Sequence, residues 1–127
     1  MRLRYLILFV SDIDRSVAFY RDLLGMKVRE ETRTSAELDA GTATLALHLA
    51  HVDPQCRHHP PMLAGSCRLG FYVDDLEESH ARLLRAGVPC LAPPEAQFDL
   101  RVGLYEDPDG NQLTLAQPIT AVQGITG

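Results

Sequence analysis

Residues 3–10 carry two interleaved apolar sets, Leu6, Leu8 and Val10 against Tyr5, Ile7 and Phe9, which predicts a strand covered on both faces. Polar Ser11-Asp12 ends the run. Ile13, Val17, Tyr20 and Leu24 then recur at helical steps, so a helix with one apolar stripe should follow, capped by Asp12 or Ser11 and stopped by a left-handed Gly25. Strands are expected over 27–33, 35–39 and 42–50. The last of these alternates Ala43, Leu45, Leu47 and Leu49 against Thr44, Ala46 and His48.

The same plan then returns. Val10-Ser11-Asp12-Ile13-Asp14-Arg15-Ser16 comes back 63 residues later as Val73-Asp74-Asp75-Leu76-Glu77-Glu78-Ser79, Ala18 matches Ala81, and after a slip of one residue Gly25-Met26 falls on Gly87-Val88. A repeat this long that occurs twice indicates two packed modules, because a solenoid needs about three or more shorter units. The second copy predicts a strand over 67–73 and a helix over about 76–86. Asp75-x-x-Glu78 forms its capping box, and Leu76, Leu83 and Leu84 face inward. Strands near 89–92, 100–106 and 112–117 complete it. Asp107-Pro108-Asp109-Gly110-Asn111 makes the turn between the last two. The expected organisation is one domain over 1–127: module one at about 3–50, a linker at 51–66, module two at 67–117 and a tail at 118–127.

Composition narrows the function classes. At 127 residues, the chain can bury roughly two-thirds of its unfolded surface in one domain. The longest apolar run, 5–10, is far short of the ~20 residues of a membrane span, and no small-residue cleavage pattern follows it. A net charge of -5 without clustered Lys or Arg argues against nucleic acid. Cys56, Cys67 and Cys90 form no Cys-x-x-Cys pair, which fits a reducing cytoplasm.

Two βαβββ modules, the phrase running from Val10 to Met26, and the hairpin Glu106-Asp107-Pro108-Asp109-Gly110-Asn111 together resemble the vicinal oxygen chelate superfamily. That superfamily holds glyoxalase I, fosfomycin-resistance enzymes, extradiol dioxygenases and bleomycin-resistance proteins. The resemblance covers residues 3–117. It implies an α+β fold in which the mixed sheets of two modules pair into an open, cup-like barrel that holds the site. A homodimer with two cups is the natural assembly, and whether modules pair within or between chains stays open.

The family's metalloenzymes draw ligands, commonly His and Glu, from four strand positions facing the cup. The resemblance places these at Tyr5, at Ala46 or His48, at Arg68 and at Thr114. A divalent metal wants three or four N, O or S donors, and a guanidinium has no lone pair to offer. No metal or other cofactor is therefore expected. The expected ligand-binding set is Tyr5, Ile7, His48, Arg68, Tyr72 and Thr114, a polar and aromatic surface suited to an anionic or aromatic small molecule.

Each of these residues also has a plainer reading. Arg68 could pair with Glu37 or Asp39, Tyr5 could fill volume, and His48 could be a satisfied histidine. His51, Cys56, His58 and His59 match no zinc spacing. His80 reads as partly exposed helix surface, and Cys67 and Cys90 as small core residues. The preferred expectation is a metal-free small-molecule binding protein of the glyoxalase and bleomycin-resistance type. The alternative is a divalent-metal lyase, isomerase or dioxygenase with ligands such as His48 with Glu37 or Asp99. A third reading is a metal-free catalyst using Tyr5 or His48 as acid or base.

Overall fold

The computed structural model describes residues 1–50 and 64–119, which fall into two compact units, one on each side of the 51–63 segment. In the first, β1 (Tyr5–Val10), α1 (Ile13–Ala18) with a π turn (Phe19–Leu23) added to its end, β2 (Lys27–Glu31), β3 (Ser35–Asp39) and β4 (Thr44–Leu49) build a sheet ordered β1-β4-β3-β2. In the second, β5 (Leu69–Tyr72), α2 (Leu76–Arg85), β6 (Cys90–Gln97), β7 (Leu100–Glu106) and β8 (Gln112–Pro118) build a sheet ordered β5-β8-β7-β6. The first strand of each unit runs parallel to the last, and the remaining pairs are antiparallel. The class is α+β with two βαβββ units, as the repeat predicts. The linker residues His51, Cys56, His58 and His59 lie outside the described residues, as do residues 120–127 of the tail.

Both helices start as the sequence directs. Asp12 has extended backbone and its Oδ1 accepts from Arg15 N–H at 3.0 Å, while Asp75 Oδ1 accepts from Glu78 N–H at 3.1 Å. The return arm of the capping box is not formed. Glu78 turns toward Arg82 and Arg85 instead, at 3.8 and 3.9 Å.

The ends of the helices explain the slip in the repeat. In the second copy, Val88 N–H reaches Leu83 O at 3.0 Å and Gly87 N–H reaches Leu84 O at 3.0 Å, the two bonds of a Schellman stop around a glycine at φ 81°. In the first copy, Met26 N–H reaches Tyr20 O at 3.0 Å and Gly25 N–H reaches Arg21 O at 3.1 Å, so each closing bond spans one residue more. The extra residue is absorbed by the widened turn over Phe19–Leu23, where Leu24 N–H bonds Phe19 O. Widening brings both Phe19 and Tyr20 inside, edge to face at 4.9 Å, and Leu24 drops to half-buried. The expected stripe through Leu24 is corrected accordingly.

Each helix covers one face of its own sheet. In the first unit the covered face holds Leu8, Val10, Ala36, Leu38, Leu45 and Leu47, with Ile13 and Val17 from the helix. In the second it holds Leu69, Tyr105, Leu113 and Leu115, with Leu76 and Leu83 from α2. Every such Leu contributes roughly 1.5–3 kcal/mol by leaving water. The matched serines Ser16 and Ser79 are also buried, and their small side chains occupy the inward position between the larger apolar ones. Ser79 thereby takes the place expected of Leu84, which is 47 % exposed.

Three other expectations are corrected. Cys67 is exposed and Cys90 half-buried, so Cys67 is not a core residue. β6 extends through Pro93 and Pro94 to Gln97, possible because it is an edge strand whose register shifts twice against β7. On β1, Tyr5, Ile7 and Phe9 are exposed, so the expectation of two covered faces does not hold within the unit.

Candidate functional site

The face of each sheet turned away from its helix carries the sequence-predicted site residues. In the first unit, strand pairing sets Tyr5 beside Thr44, Ile7 beside Ala46 and Phe9 beside His48, so Tyr5, Ile7 and His48 share one open face. Phe9 meets the His48 ring edge-on at 6.2 Å. Arg29, which sequence reasoning did not single out, also belongs to this face. Its Nη1 donates to Thr44 Oγ1 at 2.7 Å and its Nη2 lies 3.4 Å from Asp39. The Asp39 carboxyl accepts from Gly41 N–H at 2.8 Å, and this bond, with Arg29, holds it below the usual carboxylate range.

In the second unit, Gly70 stands beside Thr114 and Tyr72 beside Ala116. Arg68, just ahead of β5, joins the same open face through Gln112. Its Nε and Nη2 both donate to Gln112 Oε1, at 3.2 and 2.7 Å. The partners weighed for Arg68 in the sequence, Glu37 and Asp39, are not the ones it takes. Gln112 went unrecognised because a glutamine opening a strand carries no signal of its own.

The two sheets' internal registers settle which residue of β4 corresponds to Thr114. Tyr5 and Arg68 each stand five residues before the matched Val10 and Val73. Two residues on, Ile7 opposes Ala46 and Gly70 opposes Thr114, and a further two on, Phe9 opposes His48 and Tyr72 opposes Ala116. Ala46 is therefore the equivalent of Thr114, and His48 that of Ala116. The four strand positions at which the family resemblance locates metal ligands thus hold a phenol, a methyl, a guanidinium and a hydroxyl. That set does not fit a divalent ion. The alternative ligands fare no better: Glu37 opposes Ala46 beside His48, whereas Asp99 sits in the β6–β7 turn of the other unit. Among the described residues no three of His, Cys, Asp and Glu cluster as a metal would need.

On the covered face of the second unit, Tyr105 Oη and His80 Nδ1 share a hydrogen bond of 2.9 Å, so His80, partly exposed on α2 as expected, also has a specific partner. The Tyr105 ring is wholly buried, and burial, reinforced by Cys90 and Glu77, pushes its phenol up to about 12. An acid whose pKa is raised by folding keeps its full contribution below the unfolded value near 10. It loses that contribution as pH climbs, because the unfolded chain releases its proton first. Stability should therefore fall between pH 10 and about 12 by on the order of 2 kcal/mol. Urea unfolding of the wild type and Tyr105→Phe at pH 9 and pH 11.5 checks this. Equal losses in both proteins would count against it.

Comparisons with known proteins agree with this architecture. A family model described as Glyoxalase/Bleomycin resistance protein/Dioxygenase superfamily matches residues 2–115. The chain is 31 % identical over 115 residues to glutathione transferase FosA of Serratia marcescens, covering 89 % of this chain and 78 % of that protein. It is 26 % identical over 121 residues to a virulence protein of Salmonella typhimurium, covering 91 % of this chain and 83 % of that protein. The crystal structure of the Salmonella protein superposes with a TM-score of 0.72 at 24 % identity, over 93 % of this chain and 97 % of that one. Lactoylglutathione lyase from Agrobacterium tumefaciens shares the fold with a TM-score of 0.69 at 20 % identity, over 91 % and 92 % of the two chains.

Proposed function

The chain belongs to the glyoxalase/bleomycin resistance protein/dioxygenase superfamily, and from that premise we propose that it binds a small molecule without a metal, on the open sheet faces that carry Tyr5, Ile7, His48, Arg68, Tyr72 and Thr114. The observation that carries the reading is the residue set Tyr5, Ala46, Arg68 and Thr114 at the four strand positions. A cation among them opposes a divalent ion electrostatically, and a methyl offers it nothing. Aromatic and apolar side chains such as Tyr5, Phe9 and Tyr72 would supply contact area, with Arg68 orienting an acceptor group. In this reading the ligand is anionic or aromatic, and the protein acts as a homodimer in a reducing cytoplasm. The unpaired Cys67 and Cys90 support the reducing compartment. Among the described residues no helix is long and apolar enough to cross a membrane.

A second reading, a divalent-metal lyase, isomerase or dioxygenase, draws support from the kinship with FosA, whose name is that of a glutathione transferase. Elemental analysis of protein purified without chelator, followed by titration with Zn(II), Mn(II) and Ni(II), separates the two. The expected result is less than a tenth of an equivalent of metal and no saturable binding. A stoichiometric ion, removed by chelator together with an activity, would establish the second reading in place of the first.

A further inference from the structure

The open face of the second unit has a feature that neither the fold nor the stability of the sheet requires. Most of the arginines with a described partner meet a carboxylate: Arg21 meets Asp22, Arg29 meets Asp39, Arg82 and Arg85 meet Glu78, and Arg101 meets Glu77. Arg68 meets a neutral amide instead. Gln112 Oε1 takes two of its five N–H groups and leaves three donors and the whole charge exposed, with no carboxylate against it among the described residues. The amide fixes the plane of the guanidinium without cancelling its charge.

Two residues along the same face, Gly70 has no side chain. Its φ is not positive, so backbone conformation does not demand glycine there. A Cβ there would come 3.2 Å from Thr114 Oγ1, so a side chain would crowd that hydroxyl and cover this part of the face. Thr114 Oγ1 makes no hydrogen bond among the described residues. Two residues further, Tyr72 is 75 % exposed and stands beside the small Ala116. From Arg68 to Tyr72 the backbone advances by about 13 Å. On this face β5 and β8 present only the small residues Gly70, Thr114 and Ala116 alongside the long side chains of Arg68 and Tyr72, a low floor with a taller wall at either end.

We infer that this slot takes a planar aromatic oxyanion, an aryl carboxylate or aryl phosphonate. Its acid group lies on the free N–H donors of Arg68, its ring runs over Gly70 toward Tyr72, and Gln112 is the positioning residue for Arg68. The inference rests on the small-molecule-binding reading above and narrows its ligand class. Charge-assisted paired hydrogen bonds give the acid end its selectivity, and an aromatic wall accepts the ring.

Benzoate and its neutral isostere benzamide, titrated into the full chain and followed by backbone amide NMR, test the slot. Benzoate should bind at least tenfold more tightly than benzamide and shift the amides of Gly70 and Thr114. Arg68→Gln should remove the preference. Gln112→Glu, which keeps an oxygen acceptor on Arg68 but adds a counter-charge, should remove it too while the remaining spectrum stays unchanged, a result that a merely structural Gln112 would not give. Equal binding of both compounds would overturn the oxyanion slot and leave metal-free binding intact. Retention of the benzoate preference in Arg68→Gln, or no binding of either compound by metal-free protein, would also overturn it. The metal titration decides the broader reading separately.

Discussion

Gly103→Ala is expected to destabilise the protein by about 3 kcal/mol, the upper end of what one added methyl costs in a packed interior. Gly103 lies in the middle of β7, on the face covered by α2. A Cβ there would fall 2.5 Å from the Tyr105 hydroxyl and 2.9 Å from two of its ring carbons. An exposed tyrosine would simply swing aside. Tyr105 is wholly buried, and its hydroxyl is held by His80 at 2.9 Å, so the ring can yield only by displacing its neighbours. The clash is specific to one pair, which makes the claim testable beyond a drop in stability. In a double-mutant cycle with Tyr105→Leu, the added cost of Gly103→Ala should shrink by at least half. Strict additivity, read from urea midpoints, would show that the methyl is harmful for some other reason.

Asp107→Ala should cost a comparable amount, about 3 kcal/mol, since one buried carboxyl holds the whole β7–β8 turn. Its Oδ1 accepts from the N–H groups of Asp109 at 2.9 Å and Asn111 at 2.8 Å, and its Oδ2 from Asn111 Nδ2 at 3.0 Å. Asp107 is only 4 % exposed, so water cannot fully replace the lost acceptor. Asp107→Asn keeps an acceptor oxygen and should lose less than half as much. The turn also delivers Gln112, the first residue of β8, to Arg68. Asp107→Ala should therefore weaken benzoate binding even at temperatures where the variant remains folded. Unchanged urea midpoints for Asp107→Ala would refute the assignment of the turn to this carboxyl.

Much of the architecture was legible because the signals were local and occurred twice. Asp12 and Asp75 cap as expected, Gly25 and Gly87 stop their helices at positive φ, and period-two alternation assigned the faces of β1 and β4. The misreadings have physical causes. Apolar steps of four, three and four suit an α-helix and a helix with one wide turn equally well, so the π turn was invisible except as a slip between copies. The strand expected near 89–92 runs on to Gln97, because sequence does not reveal that β6 is a bulged edge where the missing N–H groups of Pro93 and Pro94 cost little. Leu84 looked inward because it is apolar, but it stands about 100° round the helix from Leu83, and packing buried Leu83 and left Leu84 half in the open.

The candidate site was legible as a pair of faces but not as contacts. Alternation put Tyr5, Ile7 and His48 together, and spacing put Arg68 in line with Gly70 and Tyr72. Nothing local linked Arg68 to Gln112, 44 positions away, or Arg29 to Thr44, because such partners are set by strand register. The choice between Ala46 and His48 was likewise undecided until both sheets' pairings could be compared.

The widened turn after α1 has a bearing on how such a chain can change over generations. A helix end that takes in a surplus residue by bulging leaves everything downstream in place, as Gly25 and Met26 still close the helix just as Gly87 and Val88 do. The same insertion within β1 would reverse the faces of every strand residue on one side of it, so that part of the exposed set Tyr5, Ile7 and Phe9 would turn inward and part of the inward set, Leu8 or Val10, would turn out. Length variation in this architecture is therefore cheap at the close of a helix and ruinous inside a strand, and the surplus residue of the first unit sits at the close of a helix.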